Sequence, residues 1–342
     1  MLLIRLGCLL GFVLFISPPV ASASLLPCEE RFERVKETVV SSRARVRVGQ
    51  WILEDRSKAV SHEHASSVRT VKGAVTPGDR NGKALKTKYA VQLLHGLYNS
   101  PKWMDDLASY FHTNGMNVVN TRLPGHYERQ IDALDRVNRS EWVTATESGF
   151  QIAKDLGERV VLVGHSTGGL LASMMAVRHT EQVAAIILFA PAYRVSTMSW
   201  IKAAISSRAN IGYIEEGSGR YISGDAGQEV VLLGKDFWAE LAKQNPSQPI
   251  DVLRDRLRGT PILMIETALD KTVDAAFNRV LMRVLSEGES SVARMQMKLP
   301  QSDQTPHNAI TLQDNGSGAA RSYEKVQATL DLFLERAGLR SP

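Results

Sequence analysis

The chain has 342 residues, of which 44% are hydrophobic and 23% are charged. That composition is typical of a folded globular protein and excludes a disordered or collagen-like chain, and the length suits one α/β domain with an inserted segment. The formal net charge of +5 is a mild excess, and no aromatic residues are interleaved with the basic ones, which argues against nucleic-acid binding.

The N-terminal residues differ in character from the rest of the chain. Arg5 is the only charged residue in the first two dozen, and an apolar run from Leu6 to Ile16 follows it. Together with the small residues that end at Ala23, this pattern predicts a secretory signal peptide over residues 1–23. The run is shorter than the ~20 residues of a membrane-spanning helix. We therefore expect export to the periplasm or the medium, with a membrane tether through an uncleaved signal as the alternative.

The segment from Phe32 to Val75 alternates polar and apolar residues, which predicts short half-buried strands. Arg43, Arg45 and Arg47 would then share one face of a strand, at a solvated edge. A turn is predicted at Thr76–Lys88, which is rich in glycine, asparagine and lysine.

Strands and helices alternate from there to the C-terminus, the pattern of a mostly parallel sheet flanked by helices. The fold class is therefore α/β. The predicted strands are Tyr89–Leu94, Asn117–Thr121, Val160–Val163, Ala184–Phe189, Pro261–Ile265 and Val292–Leu299, and the clearest helices are Glu141–Leu156 and Tyr323–Ala337. Apolar runs such as Val160–Val163 are typical of strands buried on both faces.

A long segment, residues 193–257, separates the fourth and fifth of these strands and exceeds what a crossover needs. We expect it to be a helical cap over the carboxyl edge of the sheet, inserted between core segments 24–192 and 258–342. Within it a glycine-rich turn is predicted at Gly224–Gly227 and a helix at Phe237–Lys243. Its apolar residues would line an acyl pocket or form the cap's own core, and the sequence leaves both open: Trp200, Ile201, Ile205, Ile211, Tyr213, Phe237 and Trp238.

The most informative motif is Gly164-His165-Ser166-Thr167-Gly168, which follows a buried strand and precedes a run of small and apolar residues. A serine on a tight strand-to-helix turn adopts strained backbone angles, and glycine neighbours avoid collisions. Its Oγ is then exposed at a helix N-terminus, where backbone N–H groups favour developing negative charge. The motif predicts Ser166 as a nucleophile. His165 is expected to point away from the reaction.

This elbow, the segment Leu93-Leu94-His95-Gly96-Leu97 and a late Asp and His resemble the α/β-hydrolase superfamily, in particular its capped esterase, lipase and lysophospholipase-like members. The resemblance runs from Tyr89 to the end, except for the cap. It implies the α/β-hydrolase fold and an oxyanion hole made of the backbone N–H groups of Leu97 and Thr167. It gives His95 a structural role beneath the site and implies that a Pro-Gly-His turn ending at His126 shapes the pocket wall.

The order of such a triad along the chain is Ser, acid, His. The resemblance places the acid at Asp270, a few residues beyond the fifth strand, with Asp274 as the second candidate and Glu266 as the third. His307 is the only histidine downstream of Asp270. It would take the Ser166 proton and pass it to the leaving group, while the carboxylate orients it.

These features predict an exported hydrolase that cleaves a carboxylic ester, of a small molecule or a lipid, through an acyl-enzyme. No metal or organic cofactor and no specific protein partner are implied, and peripheral contact with a membrane is left open. The same machinery would serve a thioesterase or a peptidase, and Glu215 and Glu216 are candidates for binding a free amine in an aminopeptidase. Carbon–carbon bond hydrolysis and a non-catalytic ligand-binding protein are further alternatives.

Overall fold

A computed structural model of the chain describes residues 38–39, 42–58, 64–71, 85–128, 130, 132–209, 212–214, 221–303, 307 and 319–340. All of them belong to one compact unit, Thr38–Pro342. The predicted signal peptide lies outside the described residues, as do Ile211, Glu215 and Glu216.

Strands and helices alternate through most of the described chain. The strands are β1 (Thr38–Val39), β2 (Ser67–Arg69), β3 (Leu85–Leu94), β4 (Asn117–Thr121), β5 (Gly157–His165), β6 (Val183–Phe189), β7 (Gly212–Ile214), β8 (Tyr221–Ser223), β9 (Ile262–Thr267) and β10 (Arg294–Leu299). The α-helices are α1 (Ser42–Lys58), α2 (Asp105–Thr113), α3 (Arg139–Leu156), α4 (Thr167–Arg178), α5 (Thr197–Arg208), α6 (Gly224–Ala242), α7 (Pro249–Arg256), α8 (Ala275–Ser286) and α9 (Ala319–Arg336).

The main sheet has the strand order β10-β9-β6-β5-β3-β4-β2, and β1 also pairs with β3. The strands from β10 to β4 in this order are mutually parallel, whereas β1 and β2 pair antiparallel with their neighbours. The predicted mostly parallel sheet is thus confirmed. Because parallel strands end at the same edge, the loops that follow β3, β5, β9 and β10 converge there.

The central strands are buried on both faces, as their apolar runs predict. In β5 the side chains alternate: Val160 and Leu162 pack in one hydrophobic cluster, and Val161 and Val163 pack in the other, on the opposite face. The sheet therefore has a hydrophobic core on each side, which fixes the positions of its carboxyl ends.

The prediction of strands in the N-terminal region is wrong over residues 42–58, which form α1. Ala44, Val48 and Ile52 are buried and four residues apart, so they form one face of a helix that packs in the main core. Arg47 lies on the exposed side and pairs with Asp155 of α3 at 2.9 Å. The alternating arginines hid the four-residue period of these apolar residues.

The segment between β6 and β9 contains α5, β7, β8, α6 and α7. Helix α6 is much longer than the predicted helix and begins inside the predicted glycine turn, because the Ser223 hydroxyl accepts a hydrogen bond from the Ala226 N–H at 3.0 Å and caps it. Val230 and Phe237 of α6 pack in the main core, whereas α5 has no buried residue. None of the described helices combines the length and hydropathy needed to cross a membrane.

Candidate active site

Ser166 lies at the sharp turn between β5 and α4, with φ 52° and ψ −116°. Its N–H donates to the Phe189 carbonyl at 2.9 Å, and its own carbonyl accepts from the Ala192 N–H at 3.0 Å. A side chain on Gly164 would collide with the backbone of Gly168. The turn therefore needs these glycines, as the motif predicts, and its strained backbone is held in place by the neighbouring strand.

His307 and Asp270 are in direct contact. Nδ1 of His307 lies 2.7 Å from Oδ2 of Asp270, whose side chain is only 1% exposed. The other oxygen, Oδ1, accepts from the N–H groups of Thr272 at 2.8 Å and Val273 at 3.2 Å. Burial alone would raise the pKa of Asp270, but the hydrogen bonds from His307 and from these two N–H groups outweigh it and lower the pKa below its usual value. The carboxylate therefore stays charged and fixes the histidine ring.

The two other candidate acids have different partners. Asp274 caps α8 by accepting the Phe277 N–H at 3.0 Å. Glu266 accepts a hydrogen bond from the Gln296 amide at 2.9 Å, and burial raises the pKa of this carboxyl group. Of the three candidates, the structure brings Asp270 to His307.

Ser166, His307, Leu97 and Thr167 line one cavity of about 440 Å³. The remaining ring nitrogen of His307, Nε2, is buried and makes no hydrogen bond within the described part of the chain. The fifth predicted site residue, Asp270, contacts His307, so the structure brings all five together. A serine hydroxyl and an imidazole nitrogen in one cavity can perform nucleophilic and acid–base chemistry.

The backbone N–H groups of Leu97 and Thr167 donate to no described residue. The loop after β3 approaches the elbow closely, because a Cβ on Gly96 would lie 3.1 Å from the Ser166 Cβ. Tyr98, next along this loop, has φ 63°. A strained loop that presents an N–H beside the serine, together with the first N–H of α4, has the composition of an oxyanion hole.

Known proteins share this fold. The family model Hydrolase_4, described as serine aminopeptidase, S33, matches residues 86–212. A solved structure from work on LipS and LipT, two metagenome-derived lipolytic enzymes, superposes with a TM-score of 0.53 at 20% sequence identity. The superposition covers 73% of this chain and 95% of that chain. A soluble variant of monoglyceride lipase from Saccharomyces cerevisiae, in complex with a substrate analogue, superposes with a TM-score of 0.54 at 13% sequence identity. This superposition covers 79% of this chain and 91% of that chain.

The chain has the α/β-hydrolase fold. A thermostable monoacylglycerol lipase from Bacillus sp. (strain H-257) is 31% identical over 91 residues, which are 27% of this chain. That match spans 36% of the relative's length. The family-model match includes Ser166 but ends before Asp270 and His307. The contact between Asp270 and His307 is therefore supported by the structure and not by this match.

His165 contributes more to this α/β-hydrolase site than the sequence indicates. Its Nε2 donates to the His307 carbonyl at 3.0 Å, and the two rings lie 4.8 Å apart. Burial, and then the neighbouring His307, lower the pKa of His165 to about 3, so the ring is neutral. The expectation that it points away from the reaction overlooked this contact with the C-terminal loop. The sequence feature that could have indicated a role for His165 in the site is its position directly before Ser166.

His95 supports the loop after β3, as the resemblance implies. Its Nδ1–H donates to the Gly96 carbonyl at 2.9 Å, and its Nε2 accepts the Leu123 N–H at 3.0 Å. His126 packs edge-on against His95 with ring centroids 4.9 Å apart. His126 is buried behind the loop and does not line the cavity, so the expectation that its turn shapes the pocket wall is wrong.

The apolar residues predicted for an acyl pocket do not line this cavity where the structure describes their side chains. Phe237 packs in the core, Trp238 faces a neighbouring cavity, and Trp200, Ile201 and Ile205 are exposed. The lining residues from the predicted cap segment instead include four of α5 and four of α6: Ser199, Lys202, Ala203, Ser206, Gly224, Gly227, Val230 and Val231. Among the described residues, no group of His, Cys, Asp or Glu could hold a metal ion.

Proposed function

We propose that this protein is a serine hydrolase that cleaves carboxylic esters through an acyl-enzyme on Ser166. The observation that carries the proposal is the 2.7 Å contact between Asp270 and His307, a histidine that lines the same cavity as Ser166. An imidazole that donates from one nitrogen to a carboxylate can accept a proton from a serine hydroxyl at its other nitrogen.

In this mechanism the Ser166 Oγ attacks the ester carbonyl carbon while its proton moves to Nε2 of His307. The carbonyl oxygen becomes an oxyanion, and the N–H groups of Leu97 and Thr167 stabilise it. His307 then gives its proton to the alcohol as the carbon–oxygen bond breaks. A water molecule repeats the attack on the acyl-enzyme, which releases the acid and restores the serine. Asp270 orients the imidazole throughout and stabilises its protonated form.

The lipase names of the sequence relative and of the structural neighbours support ester hydrolysis over peptide hydrolysis. The family model carries the description of an aminopeptidase. An aminopeptidase must bind a free ammonium group, and the described residues that line the cavity include the cationic Lys202 but no carboxylate. That charge disfavours an ammonium substrate. Thioester hydrolysis uses the same residues and is the second candidate.

The proposal is tested with a nitrophenyl ester and a thioester that share one short acyl group, and with an amino-acid nitroanilide. We expect kcat/KM to be highest for the oxygen ester and the Ser166→Ala variant to lose all turnover above background. Fastest turnover of the nitroanilide would identify a peptidase, and faster thioester turnover a thioesterase. Binding of the ester without any turnover would indicate a non-catalytic ligand-binding protein.

We also propose that residues 193–257 act as the cap and that α5 contacts a lipid surface. Met198 and Ile205 are each 60% exposed and Ile201 is 37% exposed, which places them on the outer side of α5. Exposed apolar side chains on one side of a helix suit contact with a lipid surface. We expect co-sedimentation with phosphatidylglycerol-containing vesicles, reduced by Met198→Ser with Ile205→Ser; equal sedimentation of both proteins would contradict this contact.

We further propose that the protein is exported and that residues 1–23 are removed. Support for this comes from the single early cation and the apolar run that precede the small residues near Ala23. N-terminal sequencing of protein recovered from the extracytoplasmic fraction should begin at Ser24. Intact residues 1–23 on membrane-bound protein would indicate a tether, and cytoplasmic protein would contradict export.

A further inference from the structure

Helix α5 is oriented with its polar side toward the cavity. Ser199, Lys202, Ala203 and Ser206 recur at the spacing of one helical face and line the cavity that contains Ser166. The apolar Met198 and other large side chains of this helix are exposed instead. A helix whose only task was to cover an aliphatic chain would present its apolar side to that chain.

The close packing of α5 on α6 fixes this orientation. A Cβ on Gly227 would lie 3.3 Å from the Cβ of Ala203, and one on Gly224 would collide with Ser206. These contacts bring the polar side of α5 against the N-terminal turns of α6. Lys202 directly precedes Ala203 in α5. It therefore lines the cavity, although it is also exposed to solvent.

Lys202 has no anionic partner among the residues that the structure describes, and those residues place no carboxylate in the lining of the cavity. The cavity lining also includes Asn99, which is 1% exposed and whose Nδ2 has no hydrogen-bond partner in the described chain. A cavity with one unpaired ammonium and an unsatisfied buried amide favours a group that is negatively charged and rich in acceptor oxygens.

We propose that the preferred substrates are esters that carry an anionic group, a phosphate or a carboxylate, and that Lys202 selects them. This inference rests on the proposed ester hydrolysis at Ser166 and names its substrate class. The anion is remote from the bond that breaks, so Lys202 acts through binding and not through the chemical step. Its effect falls on KM more than on kcat.

The test uses two pairs of soluble, monomeric substrates that differ only in charge. Octanoylglycerol and its phosphate ester place the anion on the alcohol side, and nitrophenyl methyl glutarate and nitrophenyl hydrogen glutarate place it on the acyl side. The variants are Lys202→Gln and Lys202→Glu. The matched control is Arg208→Gln, which removes an exposed cation from the same helix but not from the cavity lining.

We expect the wild type to prefer the charged member of at least one pair. Lys202→Gln should lower that preference about fivefold, because an ion pair made by an exposed lysine contributes modestly, and Lys202→Glu should lower it further. Arg208→Gln should leave it unchanged. The wild-type preference should also fall between low and high salt, and that of Lys202→Gln should not. The pair that responds tells whether the site selects a phosphate on the alcohol side or a carboxylate on the acyl side of the ester.

Equal preference in the wild type and both Lys202 variants, with neutral esters still hydrolysed, would overturn this inference and leave the proposed function intact. Absence of turnover for every ester, neutral or charged, would instead overturn the proposed function. An equal loss of this preference in Arg208→Gln would show that the total charge of α5 determines it. That result would also contradict a specific role for Lys202.

Discussion

Replacing Asp270 by asparagine should abolish most activity without unfolding the protein. Three donors surround this carboxylate: the N–H groups of Thr272 and Val273 at one oxygen, and Nδ1 of His307 at the other. A carboxamide has one acceptor oxygen and one NH₂ group. Whichever way it turns, its NH₂ group faces a donor that the carboxylate satisfied.

The more stable arrangement keeps the amide oxygen on the two backbone N–H groups, since each such hydrogen bond contributes roughly 1 kcal/mol. The NH₂ group then faces His307, whose Nδ1 must give up its proton to accept this bond. The proton moves to Nε2, which can no longer accept one from Ser166. Removal of the correct tautomer lowers kcat about 10⁴-fold in Ser-His-Asp enzymes, which is about 5.4 kcal/mol of transition-state stabilisation.

Asp274→Asn is the matched control, because it makes the same chemical change four residues away. Asparagine is as good a helix cap as aspartate, so the bond to the Phe277 N–H persists and stability should change by less than about 0.5 kcal/mol. The assay is kcat on a soluble nitrophenyl ester, with circular dichroism and urea unfolding on both variants. More than a tenth of wild-type kcat in Asp270→Asn, or an equal loss in Asp274→Asn, would refute this assignment of the acid.

Two further predictions concern the environment of the site. Gly96→Ala should lower kcat by about 10²-fold with circular dichroism unchanged, because its Cβ would lie 2.7 Å from His165 Nδ1 and would displace the oxyanion loop; wild-type kcat would contradict this. Burial lowers the pKa of His126 to about 4 and that of His165 to about 3, below the ~6.5 of an unfolded histidine. Stability is therefore fully present above pH ~6.5 and is lost as the pH falls toward the folded values, by about 2 kcal/mol per histidine between pH 7 and pH 5. Urea unfolding should show this loss, and His126→Gln should reduce it by about 2 kcal/mol; an unchanged pH dependence would refute the explanation.

The sheet and the elbow could be predicted because they depend on local sequence. A run such as Val160–Val163 can be buried on both faces only as an inner strand, and Gly164 and Gly168 leave a strand-to-helix turn as the only comfortable geometry for Ser166. The resemblance to α/β hydrolases predicted the acid, and the histidine was predicted as the only one that follows Asp270 in the chain. Their contact depends on two loops that only the parallel sheet brings together.

Other features depend on packing that the sequence does not reveal. The outward orientation of Ile201 and Ile205 is set by the close approach of α5 to α6, so neither of the two alternatives left open by the sequence, a pocket wall or the cap's own core, holds for them. The contact of His165 with the His307 carbonyl joins residues far apart in sequence. In α1 the alternating arginines favoured a strand, although Ala44 and its four-residue repeats form a buried helical face.

The central claim is that Ser166 is a nucleophile activated by His307 and Asp270, and covalent labelling tests it most directly. The folded protein is treated with a fluorophosphonate at neutral pH, and the adduct is located by mass spectrometry of its peptides. We predict one adduct, on Ser166, that is absent from Ser166→Ala and forms far more slowly in His307→Gln. Folded wild-type protein that stays unlabelled, or that carries its label on another residue, would contradict the claim.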